Sequence, residues 1–246
     1  MRKRSIRAVL FDLGGTLMIP RSSWPHVFER ADQALIAALN AHGLDVDFES
    51  IHREFMGRLN EYYTRRDLDL YERTYTSVLH SLLVDKGYTD VPEQVIRSAL
   101  DAMYSVTQSN WVLKNDAIST LKILEAEGYR LGILSNAGDN KDVFQLVESF
   151  NIDIFFDFIL TSAACSYRKP HPRIFGVALA HWKISPQDAA MVGDDLDADI
   201  SGANGVGIFS ILITNGTLKA GGNSHHIQPD ATISTLSELP GLLNNL

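Results

Sequence analysis

The stretch Arg7-Ala-Val-Leu-Phe-Asp-Leu-Gly-Gly-Thr-Leu-Met18 carries the reading of the whole chain. Ala8 to Phe11 is an unbroken apolar run, the pattern of a strand buried on both faces. It stops at Asp12, and the pair Gly14-Gly15 breaks the pattern two residues later. Open α/β sheets bind their ligands beyond the carboxyl ends of such strands, so Asp12 stands where chemistry is expected. Gly15 and Thr16 add backbone N–H groups and a hydroxyl suited to holding an anion. A plain strand and turn, with Asp12 capping the next segment, would read the same on these residues alone.

Three later segments continue this pattern of polar residues closing an apolar run. They are Leu131-Gly-Ile-Leu-Ser-Asn136, Arg168-Lys-Pro-His-Pro172 and Ala190-Met-Val-Gly-Asp-Asp195, the last followed by Asp197 and Asp199. In this order the four segments resemble the motifs of the haloacid dehalogenase superfamily, and of its phosphatases in particular. The correspondence runs from Ile6 to about Ile213, apart from a helical stretch after the first motif.

The resemblance implies roles for individual residues. Asp12 would be the nucleophile, giving a covalent aspartyl-phosphate that splits one hard step into two. Magnesium would be held by Asp12, the backbone carbonyl of Gly14 and Asp194, with Asp199 as an outer or alternate ligand. Hard divalent cations favour such oxygen donors, and clustered carboxylates are costly without a compensating charge. Lys169, biased to an extended conformation by Pro170, would stabilise charge on the transferred group. Ser135, with the amides of Asn136 and Ala137, would bind phosphoryl oxygens beside Gly15 and Thr16. Simpler readings accompany some of these residues: a serine ending a strand is often a turn former. Asp197 is best read as helix N-terminal charge, and Arg168 as a surface group.

One position departs from the family. Its phosphatases usually carry a second aspartate two residues after the nucleophile as general acid and base, and this chain has Gly14 there. A positioned acid–base group is worth roughly 10²–10⁴-fold in rate. Three consequences are open: substrates with good leaving groups, a proton donor from elsewhere such as His26 or His225, or phosphate binding with little turnover. The alternative chemistry is that of a 2-haloacid dehalogenase using Asp12 without metal. The Gly193-Asp194 pair favours magnesium and phosphate over it.

Composition narrows the setting. The 246 residues carry a net charge of −8, which disfavours nucleic acid or an anionic membrane as partner. The resemblance implies a small phosphorylated metabolite as the partner. No apolar run approaches a membrane span. Arg2-Lys3-Arg4 reads as a solvated lead-in, not a targeting signal. The single cysteine, Cys165, forbids an internal disulfide and suits a reducing cytoplasm.

The expected architecture is α/β: a Rossmann-like, mostly parallel sheet flanked by helices, with an inserted all-α cap. The core is expected over residues 1–20 and 108–246, the cap over 21–107. Apolar stripes predict four cap helices, through Val27, Phe28, Ala31, Leu35 and Leu39; Phe48, Ile51, Phe55, Leu59 and Tyr62; Tyr71, Tyr75, Val78, Leu79 and Leu82; and Val95, Leu100 and Met103. An ordinary helical bundle with no moving role fits the same stripes. From Trp111 onward strands and helices alternate, which calls for right-handed crossovers in a parallel sheet. Gly202 to Gly207 is read as a helix stop, not a dinucleotide fingerprint. Tyr62, Tyr63, Arg65 and Arg66 are expected on a helix surface, and His225-His226 in a solvent-exposed loop.

Overall fold

The computed structural model describes residues 5–214 and 226–246. The chain divides into two compact units, Met1–Ile19 with Leu113–Leu246, and Pro20–Val112.

The first unit is built on a six-stranded parallel sheet in the order β5-β4-β1-β6-β7-β8. Its strands are β1 (Ala8–Phe11), β4 (Arg130–Ser135), β5 (Phe158–Thr161), β6 (Ala189–Gly193), β7 (Phe209–Ile213) and β8 (Ala231–Ile233). All four residues of β1 are fully buried, as the apolar run requires. Residues of β1 pair in register with both neighbours, Ala8 with Arg130 and Ala189, and Phe11 with Ile133 and Val192. The chain moves outward from β1 to β4 and β5, then returns to β6 on the other side. β1 is therefore the point at which the strand order reverses, where a crevice opens at the carboxyl ends.

The helices of this unit are α5 (Ala117–Ala126), α6 (Asn140–Ser149), α7 (Ser162–Cys165), α8 (Pro172–Trp182), α9 (Ser201–Val206) and α10 (Leu239–Asn244). Ala8 and Leu10, on one face of β1, pack with Ile174, Phe175, Ala178 and Trp182 of α8. Gly132 of β4 is required by that packing, since a Cβ there would lie 2.8 Å from the Phe158 ring and 2.9 Å from Trp182. The glycine run reads differently in three dimensions than in sequence. Gly202 lies inside α9 with Phe175 against its Cα, and only Gly207, at φ 82°, stops the helix.

The second unit consists of α1 (Trp24–Ala41), α2 (Phe48–Asp69), α3 (Tyr75–Asp85) and α4 (Glu93–Gln108). Its core joins Leu35 and Leu39 of α1, Phe55 and Leu59 of α2, Leu79 and Leu82 of α3, and Leu100 and Met103 of α4. Two stripe members are exposed, Phe28 and Tyr71, each at 46%, and Tyr71 precedes α3. Tyr62, expected on a surface, is buried and donates a hydrogen bond to the buried Glu72. Asp47 and Thr74 accept the amides of Ser50 and Ser77, capping α2 and α3.

Two short strands that the sequence reading missed, β2 (Met18–Pro20) and β3 (Trp111–Leu113), pair with each other. Beside them, buried Asn110 staples the ends of the helical unit together. Its Oδ1 accepts from the Ser22 amide (3.1 Å) and hydroxyl (2.8 Å), its Nδ2 donates to Ser22 O, and its carbonyl accepts the Arg21 amide.

Candidate active site

Three of the four motifs close a central strand, and the fourth, with Lys169, lies in the connection between α7 and α8. Asp12 follows β1, and its amide extends the ladder by donating to Val192 O at 2.9 Å. Asp194 follows β6, and Ser135 is the last residue of β4. Strands only about 4.8 Å apart bring these sequence-distant residues together. Asp12, Asp194 and Asp199 can each offer an oxygen such that all three lie within 4.8 Å of one another.

Two glycines make this convergence possible. Gly15 has φ +96°, and a Cβ on it would overlap the Asp194 carboxylate. A Cβ on Gly193 would overlap Asp199 in the same way. The turn after Asp12 is closed by hydrogen bonds from the Gly15 amide to Met18 O (2.6 Å) and from the Leu17 amide to Leu13 O (2.9 Å). Gly14 itself is exposed.

Lys169 is the buried cation at the centre. Its Nζ lies 2.8 Å from Asp12 Oδ1, 2.7 Å from Asp199 Oδ1 and 2.7 Å from Leu134 O. Burial opposes its charge, but Asp12 and Asp199 together outweigh burial and push its pKa up. Burial also raises the Asp199 carboxyl to about 7, against the pull of Lys169. Asp199 is further fixed by the Asp195 amide at 3.2 Å. Asp195 caps the π-helical turn Leu196–Ile200, accepting the amides of Asp197 and Ala198, while Asp197 lies exposed in that first turn.

Asn136 and Ala137 are engaged within the protein. The Asn136 side chain grips the Lys169 backbone at both ends, Oδ1 accepting its amide (2.7 Å) and Nδ2 donating to its carbonyl (3.0 Å). The Ala137 amide, expected to face phosphate, donates to Ser162 Oγ at 2.9 Å. Ser135 is buried, as is Thr16, whose Oγ1 has no hydrogen-bond partner among the described residues. Arg168 corrects the surface expectation, being only 8% exposed.

Lys114 was not singled out by sequence, and a lysine following a three-residue strand carries no signal. Its amide donates to Leu17 O at 3.0 Å. Burial lowers its pKa, opposed by Asp194, Asp116 and Asp12, so it adds positive charge near the carboxylates. His26 lies in the helical unit with its side chain 90% exposed, 4.0 Å from Glu29. His225 falls outside the described residues.

The donor set fits a hard divalent cation: three carboxylates converge, and the two lysines near them leave an acid in excess. The Thr16 hydroxyl, buried beside the Asp12 turn, fits a further oxygen-bearing ligand.

Comparisons with known proteins give the family. Residues 6–207 match the family of haloacid dehalogenase-like hydrolases. The ribulose-1,5-bisphosphate 5-phosphatase of Halopiger xanaduensis is 30% identical, over 96% of this chain and 99% of its own. A glyceraldehyde 3-phosphate phosphatase of Pyrococcus furiosus is 28% identical, over 99% and 94%. The crystal structure of a phosphatase of this superfamily from Thermococcus onnurineus superposes with a TM-score of 0.66 at 26% identity, covering 98% of this chain and 99% of that one. The chain belongs to the haloacid dehalogenase-like hydrolases, and it is an enzyme of their phosphatase type.

Proposed function

We propose that the chain is a magnesium-dependent phosphohydrolase of small phosphorylated metabolites, working through an aspartyl-phosphate on Asp12. The observation that carries this reading is the grouping of Asp12, Asp194 and Asp199 within 4.8 Å, with Lys169 Nζ 2.8 Å from Asp12. The names of the relatives support a small sugar phosphate as the substrate class.

In this reading an Asp12 carboxylate oxygen attacks phosphorus, and the bond from phosphorus to the leaving oxygen breaks. Water then attacks the same phosphorus, releasing inorganic phosphate and restoring the carboxylate. Asp12, Asp194, Asp199 and the Gly14 carbonyl would hold magnesium, which supplies electrostatic stabilisation of the phosphoryl oxygens. Lys169, kept cationic by its two carboxylates, neutralises charge on the group being transferred. Thr16, Ser135 and the Asn136 amide contact phosphoryl oxygens, whereas the Gly15 amide is spent on Met18 O. The Asn136 side chain positions Lys169 through its backbone. The helical unit serves as the cap that selects the substrate.

Because Gly14 brings no carboxyl, the leaving oxygen either takes its proton from solvent or, where its conjugate acid is strong, departs as the anion. Sugar phosphates are alkyl phosphates, so they turn over more slowly at this site than acyl or aryl phosphates. The test is a screen of phosphorylated metabolites with wild type and Asp12→Asn, with magnesium and with EDTA. The expected result is phosphate release that magnesium stimulates, EDTA abolishes and Asp12→Asn lowers by about 10³-fold or more. Unchanged turnover in Asp12→Asn removes Asp12 from the mechanism, and metal-independent halide release from a 2-haloacid would establish the dehalogenase instead.

A further inference from the structure

The helical unit contains a cavity of about 320 Å³ lined by Arg58, Arg65 and Arg73 together with Glu61, Ser77 and Ser81. Three arginines line it with one carboxylate, Glu61, in a chain with a net charge of −8. Like charge gathered in one place is unfavourable unless it is compensated, and here Arg58 and Arg65 each have a carboxylate partner.

The three arginines are held very differently. Arg58 of α2 is fixed to α3, its Nη1 donating to Ser81 Oγ at 3.0 Å and its Nη2 to Asp85 Oδ2 at 2.6 Å. Arg65 pairs with Glu61 at 2.9 Å one turn away, but both side chains are more than 60% exposed. An exposed pair of this kind is weak and readily exchanged. Arg73, in the connection from α2 to α3, has no ion-pair partner among the residues whose side chains are described. Ser81 Oγ accepts from Arg58 and so keeps its own proton to donate. One anchored arginine, one in a weak exposed pair, one with no ion-pair partner among the described side chains, and a serine hydroxyl thus line one space.

We infer that this pocket, built from residues 58–81 alone, binds a small phosphate-bearing anion. Forked guanidinium donors match the oxygens of phosphate, which accepts from several arginines at once where a carboxylate offers two oxygens. The volume is at the small end of ligand sites, which suits inorganic phosphate or a short phosphomonoester. None of these residues takes part in the chemistry assigned to Asp12, so the inference goes beyond that reading and stands without it.

The test is an NMR titration of the full chain in EDTA at constant ionic strength. The probes are inorganic phosphate, pyrophosphate and glycerol phosphate, with acetate as control. Saturable shifts of the Ser77 and Ser81 amides are expected with at least one phosphate probe. Arg73→Ala, at an exposed position that leaves the fold intact, should weaken that binding about tenfold. Response to inorganic phosphate supports a free-phosphate site, and response to glycerol phosphate or pyrophosphate alone supports a larger phosphorylated ligand. Shifts that fail to saturate, that are unchanged in Arg73→Ala, or that acetate reproduces would overturn the inference.

Discussion

Lys169 concentrates the physics of the site in one residue. Its side chain is 1% exposed, and its ammonium contacts both Asp12 and Asp199. A buried charge stripped of its partner is among the most destabilising changes a protein can suffer. Lys169→Met should therefore abolish turnover and also cost about 3–5 kcal/mol of stability, because it leaves carboxylates uncompensated. Urea denaturation checks the second effect, and magnesium should restore part of the loss by supplying positive charge. A variant as stable as wild type would mean that the carboxylates are already protonated or solvated. The sequence suggested Lys169 through its Lys-Pro setting, and the contacts show what that setting achieves. Lys114 and the Ala137–Ser162 hydrogen bond had no comparable signal, since both depend on neighbours supplied by other parts of the chain.

At the scale of elements, the legible features were those written in local pattern. The limits of β5, α8 and β8 follow directly from apolar runs bounded by turn and cap residues. The helical stripes predicted which elements form, yet shifted by a residue or so in what they bury. In α5 Ala117, Leu121 and Leu124 are buried, while Ile118 is 39% exposed. In α4, Ile96 and Ala99 join Leu100 in the core, whereas Val95 only packs against it. A stripe gives a face, and the neighbouring helix decides its centre. The pairing of β2 with β3, and the Asn110 staple beside it, were invisible because three-residue strands have no period. Asn110→Ala should destabilise the helical unit by about 1–3 kcal/mol, since the Ser22 groups lose buried partners. A drop in the chemical denaturation midpoint monitored by the fluorescence of Trp24 and Trp111 checks this. An unchanged midpoint would mean that water satisfies the same groups.

At the scale of the whole molecule, one acidic group couples two helices to solvent pH. Asp32 of α1 is 6% exposed, with Oδ2 2.9 Å from His52 Nδ1 on α2, and Phe48 stacks on that imidazole. Burial raises the Asp32 pKa, and His52 pulls it back only in part. An acid whose pKa is raised on folding holds a proton that the unfolded chain releases. Its contribution to stability is complete below the ordinary value of 3.8 and is lost as pH rises through the raised value. Asp32→Asn should therefore flatten the decline of stability across that window, read as urea midpoints over a pH series. Parallel curves for wild type and variant would show that Asp32 does not titrate there.

By itself the sequence determined the alternation of strands and helices, the presence of an inserted helical segment, and the residues that close the strands. These are consequences of apolar periodicity and of where glycine and aspartate interrupt it, all local in the chain. Only the tertiary structure decided which of those residues meet. A parallel sheet sets Asp12, Ser135 and Asp194 on adjacent strands, and no pattern in the chain encodes that spacing. Glycine at positions 15 and 193 leaves room for carboxylates that arrive from elsewhere, and one buried lysine binds Asp12 and Asp199 together. The same holds for the arginine pocket, where charges up to fifteen residues apart in sequence face a common space because two helices lie side by side.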